Sequence, residues 1–312
     1  MTVTNTGHHI PPRFFGLSSD TKPTNPEVGT TFLETDTQCD FVWSGSAWIL
    51  GVSKDFLLDV SMGRVTGHRI MRGLGERESI QTTAGGEDLW RGNELSPAPT
   101  SHLVIPTPAA AGERMALDSE SDADNGGTVT GALTVRVNYL DAAGDEQIEV
   151  VTMNGQTAVN TDATDIRFVQ DLQVETVGSG GVAAGDIFIH KSGTAGLVYS
   201  MIAAGGNQSL VPHKMVPRGK TLHLRNWVAS EMSQTKRTII RLRADCSNTS
   251  PPVRQANVFL FKSTVMLDGS AAQMPLAYAI PALSIVKASA WSATAGADCA
   301  VHWWGILVDE TS

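Results

Sequence analysis

Short runs of alternating apolar and polar residues dominate the chain from about residue 88 to its end. The run at 128–139 shows the pattern well, because its apolar residues mostly fall on alternate positions. These are Val129, Leu133, Val135, Val137 and Tyr139. A period of two is typical of a half-buried β-strand. A turn at 141–145 and a second run at 146–153 complete a predicted β-hairpin.

Similar runs recur along the rest of the chain, separated by turns rich in glycine and proline. We predict strands at 166–172, 174–177, 186–190, 195–202, 221–229, 238–244, 258–266, 284–289 and 302–308. Short strands at near-regular spacing are the sign of a sandwich or jelly roll. The sequence therefore predicts a mainly β protein with a small N-terminal β module and one or two antiparallel, jelly-roll-like β-sandwich domains.

The same pattern predicts where the domains begin and end. Residues 1–52 form an arm and a small β module, with strands at 30–35, 41–43 and 47–50. Residues 53–87 form a connector with a helical turn at 54–60. Glycines at 63, 67, 73 and 75 exclude a longer helix there. Residues 88–215 form a β-sandwich, and 216–312 form a second sandwich or the second half of the first.

Composition excludes several kinds of partner. Charged residues make up 18% of the chain, below the ~25% of typical soluble domains, which suits surfaces hidden in subunit contacts. A net charge of −9 argues against a nucleic-acid partner, because phosphate binding needs a basic face. No apolar run approaches the ~18 residues of a membrane span, so we expect no membrane insertion. The N-terminus lacks the features of a signal peptide.

The three cysteines, Cys39, Cys246 and Cys299, are far apart in the sequence. Their number is odd and none stands at metal-ligand spacing. Buried free thiols in a reducing compartment are the simplest interpretation, and a disulfide between two of them stays open.

Few residues suggest chemistry. The acidic stretch 118–127 could wrap Ca²⁺, but it lacks the glutamate that a helical Ca²⁺ loop needs at its twelfth position, so a solvated loop is favoured. The histidines match no zinc motif, and no G-x-S-x-G is present. Paired carboxylates of a glycosidase stay an open alternative. We predict no catalytic, metal or cofactor site and therefore no enzyme.

Four short motifs near the N-terminus resemble a module of tailed-bacteriophage virion proteins. They are Leu17-Ser-Ser-Asp-Thr-Lys-Pro, Val28-Gly-Thr-Thr-Phe, Glu34-Thr-Asp-Thr and Trp43-Ser-Gly-Ser-Ala-Trp48. Later segments resemble the same group: Phe56-Leu-Leu-Asp-Val60, 149–157, 178–190, 216–223 and Trp304-Gly-Ile-Leu-Val-Asp309. Cys39-Asp40 departs from the usual Gly-Asn or Gly-Lys turn.

The resemblance implies a non-enzymatic virion structural protein, assembled in the host cytoplasm. Its N-terminal module would dock on other virion proteins of capsid or tail, and its copies would form a homotrimer. Surface decoration is favoured; a tail fibre tip or a protein that binds a host-surface glycan is the alternative. We expect aromatic residues to make these interactions. These are Phe15, Phe32, Trp43, Trp48, Trp291, Trp303 and Trp304. Trp227 could join the last three in a sugar-stacking surface, or all four could pack in the core.

Overall fold

The computed structural model describes residues 11–37, 39–50, 56–80, 82, 87–90, 107–233, 236–245 and 259–310, with only the backbone at 87 and 259–264. The chain divides into two units, Met1–Thr66 and Gly67–Ser312, hereafter unit 1 and unit 2. No helix in the described residues is long and apolar enough to cross a bilayer.

Unit 1 contains a four-stranded sheet and one short helix. The strands are β1 (Arg13–Gly16), β2 (Thr31–Glu34), β3 (Asp40–Trp43) and β4 (Trp48–Leu50), in that order across the sheet. The helix is α1 (Phe56–Ser61). β1 pairs with β2 in parallel and the other pairs are antiparallel. The rings of Phe32 and Trp43 are buried, and the Trp48 ring lies 6.0 Å and 5.6 Å from them, so a small aromatic core holds the sheet.

The described part of unit 2 consists of strands and loops. The strands are β5 (His68–Ile80), β6 (Glu87–Asp88), β7 (Met115–Ser119), β8 (Ala132–Leu140), β9 (Glu146–Thr152), β10 (Val159–Asn160), β11 (Phe168–Val177), β12 (Ile187–Lys191), β13 (Thr194–Ile202), β14 (Lys214–Met215), β15 (Lys220–Glu231), β16 (Arg237–Asp245), β17 (Phe259–Asp268), β18 (Ala271–Ile280), β19 (Ile285–Ser292) and β20 (Ala297–Asp309).

Two pairs of sheets enclose two main cores in unit 2. In the first pair, the sheet β10-β7-β12-β13 packs on the sheet β11-β8-β9, and residues such as Leu117, Val137 and Ile189 fill the space between them. In the second pair, the sheet β14-β19-β16-β17, with β6 on β19, packs on the sheet β18-β15-β20-β5. Its core includes Trp227 and Trp303. The mainly β, antiparallel sandwich-like fold predicted for this region is confirmed.

Many of the predicted strands appear within a few residues of their predicted bounds. The hairpin predicted at 128–153 is β8 and β9, paired from Thr134 opposite Thr152 to Leu140 opposite Glu146. The turn between them closes with a hydrogen bond from the Asp141 N–H to the Asp145 carbonyl, 3.0 Å long. Alternation was sufficient for β8 because Val135, Val137 and Tyr139 on one of its faces are buried, whereas β9 is mostly exposed and buries Val151.

The predicted connector at 53–87 differs from the structure at 68–80. These residues form β5, which pairs along its length with β20. Gly73 and Gly75 suggested a loop, yet they mark close packing: a Cβ on Gly73 would lie 2.4 Å from Trp303 Nε1, and one on Gly75 would lie 2.4 Å from the Leu89 carbonyl. A glycine inside a strand commonly marks a place where a neighbouring group packs closely against the backbone.

The second pair of sheets is discontinuous in sequence. It takes β5 and β6 from before the first pair and β14 to β20 from after it. The predicted segment 216–312 therefore does not complete its sandwich alone, because β5 supplies one edge of a sheet and β6 pairs with β19. Strands β7 and β18 also form where the sequence predicted none.

Candidate functional site

The aromatic residues predicted to dock unit 1 divide between its surface and its core. Phe15 is 64% exposed, with the Arg13 guanidinium 5.4 Å from its ring centre. Phe32 and Trp43 are buried. Trp48 is half-buried and its Nε1 donates to the Pro23 carbonyl at 3.0 Å. Of these four residues, Phe15 is therefore the one that offers a large apolar surface to a partner.

Exposed large apolar side chains are concentrated in unit 1. Of fifteen such side chains in the described residues, nine belong to this unit, which holds about a fifth of the chain. These nine, hereafter the exposed apolar set, are Phe14, Phe15, Leu17, Val28, Ile49, Phe56, Leu57, Leu58 and Met62. Phe14 and Phe15 are consecutive on a strand and so point to opposite faces. Exposed apolar side chains that form one contiguous patch are typical of surfaces that bind partners.

Polar contacts join the loop around Lys22 to β2 and β3 in unit 1. Lys22 Nζ lies 2.7 Å from Glu34 Oε1, and its ammonium lies 4.3 Å from the centre of the Phe41 ring. Burial would raise the pKa of the Glu34 carboxyl, but hydrogen bonds from Lys22 and Thr37 outweigh it and the pKa is lowered. These contacts fix the position of the Lys22 loop beside the sheet that carries Phe14 and Phe15.

The tryptophans of unit 2 do not form one stacking surface. Trp227 and Trp303 are opposite each other on β15 and β20 and both are fully buried. Trp303 Nε1 donates to the Pro212 carbonyl at 2.8 Å. Trp291 and Trp304 are partly buried. Since Trp303 and Trp304 are neighbours on one strand, their side chains point to opposite faces of the sheet. Trp303 is a core residue in this structure.

The acidic stretch 118–127 is organised around a buried carboxylate. Asp124 is fully buried, and its Oδ1 accepts from the Ala132 and Ala184 N–H groups at 2.7 and 2.8 Å. Its Oδ2 accepts from Ser119 Oγ at 2.6 Å and from the Gly185 N–H at 2.8 Å. The carboxylate joins three segments of the first sheet pair, so the expectation of a merely solvated loop is wrong at this residue.

Other titratable groups have structural surroundings. His190 Nε2 lies 3.3 Å from Asp118 Oδ2, and this contact raises the pKa of the imidazole despite its burial. Cys39 and Cys299 are buried free thiols, as expected, and Cys246 lies outside the described residues. Within the described ranges, no group of three or more histidine, cysteine or acidic side chains could hold a metal ion.

A polar cleft of about 490 Å³ opens in unit 2. One wall is the outer face of the sheet β11-β8-β9, where Ile148, Asn138 and Asp171 are in register across the three strands. The other wall is β5, through Ile70, Arg72 and neighbouring residues. No sequence motif indicated this site. The available signal was the row of polar residues on alternate positions of β8 and β11.

Charges in the cleft are mostly paired. Arg69 forms an ion pair with Glu146, and Lys214 Nζ lies 3.5 Å from Asp171 Oδ2. Burial lowers the pKa of Lys214, while Asp171 opposes this shift and Arg72 reinforces it. Arg72 is exposed and has no hydrogen-bond or ion-pair partner among the described residues. The lining thus offers hydrogen bonds and one uncompensated positive charge.

Hydrogen bonds connect the residues at the floor of the cleft. The Gln170 amide donates to the Met215 carbonyl at 2.6 Å and accepts from the Met215 N–H at 3.3 Å. Lys214 Nζ also donates to the Gln170 carbonyl. Ser209 Oγ accepts from the Leu172 N–H at 2.9 Å. These contacts occupy the polar groups of the floor and suit a preformed binding site, in which few groups must be ordered when a ligand arrives.

Comparisons with known proteins give only distant similarity. No family model matches the chain, and no curated protein matches it. T=1 particles derived from infectious bursal virus match at 9% identity and a TM-score of 0.22, over 78% of this chain and 70% of that chain.

Two further structures from infectious bursal disease virus give similar values. The Gx strain matches at 9% identity and a TM-score of 0.21, over 78% of this chain and 72% of that chain. The VP2 subviral particle matches at 7% identity and a TM-score of 0.17, over 78% and 77%. All three are structures of virus or subviral particles. TM-scores at this level do not establish a common fold.

Proposed function

We propose that this chain is a non-enzymatic structural protein of a bacteriophage particle, a surface decoration or attachment component held in place through unit 1. The observation that carries the proposal is the concentration of exposed apolar side chains in unit 1. A free surface with this composition is costly in water, and contact with other virion proteins would bury it. The resemblance of the N-terminal motifs to phage virion proteins supports the same assignment.

The proposal is tested by incorporation into particles. Phages that carry Phe15→Ser are compared with wild type, and the amount of the protein per particle is measured by quantitative mass spectrometry. Burial of one phenylalanine contributes about 1.5–3 kcal/mol, so its loss weakens docking roughly 10-fold or more. Val150→Ser in unit 2 is the matched control, because Val150 is also an exposed apolar side chain, 49% exposed against 64% for Phe15, and it lies on β9, away from β18.

Absence of the wild-type protein from purified particles would contradict the proposal. So would equal incorporation of the Phe15→Ser and wild-type proteins under conditions where docking is not saturated. Both variants change an exposed side chain, and circular dichroism of the purified proteins checks that their strand content is unchanged.

We also propose that the protein is a homotrimer. In the sheet β18-β15-β20-β5, β18 pairs with β15 alone among the described strands and is an edge strand. The nearby side chains of Met266 and Tyr278 are 62% and 44% exposed. Natural edge strands are commonly protected, and a neighbouring copy would cover this one. Light scattering should give about three times the chain mass of 33.2 kDa, and a monomer would contradict the proposal.

A further inference from the structure

We propose that the cleft between β5 and the outer face of the sheet β11-β8-β9 binds an acidic saccharide. The inference concerns unit 2 and does not depend on docking through unit 1. The volume of the cleft, about 490 Å³, lies within the range of ~300–1,000 Å³ that is usual for small-ligand sites.

Side-chain amides dominate the hydrogen-bonding groups of the cleft. Asn138, Gln147, Gln173 and Gln208 all line it. An amide offers two donors and an acceptor, and a sugar hydroxyl likewise donates and accepts, so the two match without a change of ionisation. A row of amides therefore suits a ligand with several hydroxyl groups.

Some of these amides are already oriented and others are free to bind. Asn138 Nδ2 donates to Asp171 Oδ1 at 2.5 Å, and Gln147 Nε2 donates to Asp141 Oδ2 at 2.9 Å. The side chains of Gln173 and Gln208 are exposed and have no hydrogen-bond partner among the described residues. The oriented amides define the shape of the site, and the free ones have their full hydrogen-bonding capacity for a ligand.

Each wall also presents an apolar side chain. Ile148 on β9 is 62% exposed, and Ile70 on β5 is 39% exposed. A pyranose ring has polar edges and faces that carry C–H groups. An apolar side chain on each wall of an otherwise polar cleft matches that combination, because the C–H faces can pack while the hydroxyls bond to the amides.

The charge balance selects an acidic ligand. Arg69 is paired with Glu146 and Lys214 with Asp171, whereas Arg72 has no such partner among the described residues. The positive field of Arg72 acts within the cleft, since it helps to lower the pKa of Lys214. A guanidinium binds a carboxylate, phosphate or sulfate through two parallel hydrogen bonds. One acidic group on the saccharide would complete the pairing.

The experiment measures binding to the full-length protein by titration calorimetry. The acidic probes are trigalacturonate and sialyllactose, and their neutral counterparts are maltotriose and lactose, respectively. A short poly-glutamate peptide tests the alternative ligand, an acidic peptide strand that pairs with β5. We expect saturable binding of at least one acidic saccharide and at least 10-fold weaker binding of its neutral counterpart.

Two cleft variants and one control locate the site. Arg72→Gln should weaken binding of the acidic saccharide about 10- to 100-fold, since a charged hydrogen-bonded pair is lost. Gln173→Ala should weaken it about 3- to 10-fold. Arg225→Gln removes the same charge from an exposed position that does not line the cleft, and it should leave the affinity unchanged. Thermal unfolding checks that all three variants fold as the wild type does.

Several results would overturn the inference: no binding of either acidic saccharide, equal binding of acidic and neutral probes, binding of the peptide alone, or an equal effect of Arg72→Gln and Arg225→Gln. Failure here is distinguishable from failure of the docking proposal. Phe15→Ser should bind saccharide normally, and Arg72→Gln should enter particles normally.

Discussion

Removal of the Asp124 carboxylate should strongly destabilise unit 2. The group is fully buried and accepts four hydrogen bonds, three of them from the backbone N–H groups of Ala132, Ala184 and Gly185. In Asp124→Ala these three donors lose their acceptor. A buried donor without a partner costs about 1–3 kcal/mol, and water entering the vacated space offsets part of this, so we expect a loss of about 3–6 kcal/mol.

Asp124→Asn should have an intermediate effect. The amide oxygen of asparagine can still accept two of the backbone hydrogen bonds. Its NH₂ group is a donor and faces at least one backbone N–H, which is also a donor, so we expect a destabilisation of about 2–3 kcal/mol. Asp122→Asn is the matched control: Asp122 lies in the same loop and is exposed, so its substitution should change the stability by less than about 0.5 kcal/mol.

Differential scanning calorimetry measures both effects. For a unit of this size, about 1 kcal/mol corresponds to ~2–4 °C, so Asp124→Ala should lower the unfolding temperature of unit 2 by at least about 6 °C. A shift no larger than that of Asp122→Asn would refute the structural role. If added CaCl₂ raised the unfolding temperature of the wild type but not of Asp124→Asn, the carboxylate would be a metal ligand instead.

Three further predictions concern the buried groups. Trp303→Ala should cost about 3–5 kcal/mol in urea unfolding, because it empties a fully buried site, and a change below about 1 kcal/mol would contradict core packing. Cys39 and Cys299 should react slowly with a thiol-labelling reagent in the folded protein, since both are buried and burial raises the pKa of the Cys299 thiol to about 12. Rapid labelling of either cysteine would contradict its burial. The folded pKa of His190 is raised, so its pairing with Asp118 is fully present below about pH 6.5 and is lost as pH rises through that folded pKa. His190→Gln should therefore destabilise more near pH 5.5 than near pH 9 in thermal unfolding, and an equal effect at both would refute the pairing.

Much of the fold could be predicted because its strands bury one face. β8 alternates between buried and partly exposed positions, and it was found together with its turn and the returning strand β9. β5 was missed because Gly73 and Gly75 remove the side chains that would have shown the pattern. β18 was missed because it is an edge strand that contains a proline and small residues.

The candidate sites were less accessible to sequence reasoning. Successive side chains of a β-strand point to opposite faces of the sheet. The sequence alone could therefore have excluded a common surface for Trp303 and Trp304. The burial of Asp124 depends on segments near residues 132 and 184 that approach only in the folded chain. The cleft likewise joins Arg72 to residues of β8 and β11, and no local pattern predicts how those sheets meet.

The pairing of β5 with β20 has a consequence for synthesis of the protein. His68 lies opposite Val308, and Ile80 lies opposite Ala297, so β5 leaves the ribosome long before its partner strand exists. Contacts of such sequence separation form late. The nascent chain must hold β5 unpaired until translation reaches β20. A chain that stops before β20 therefore presents an open sheet edge to chaperones and proteases, and only chains that contain β20 can close this sheet.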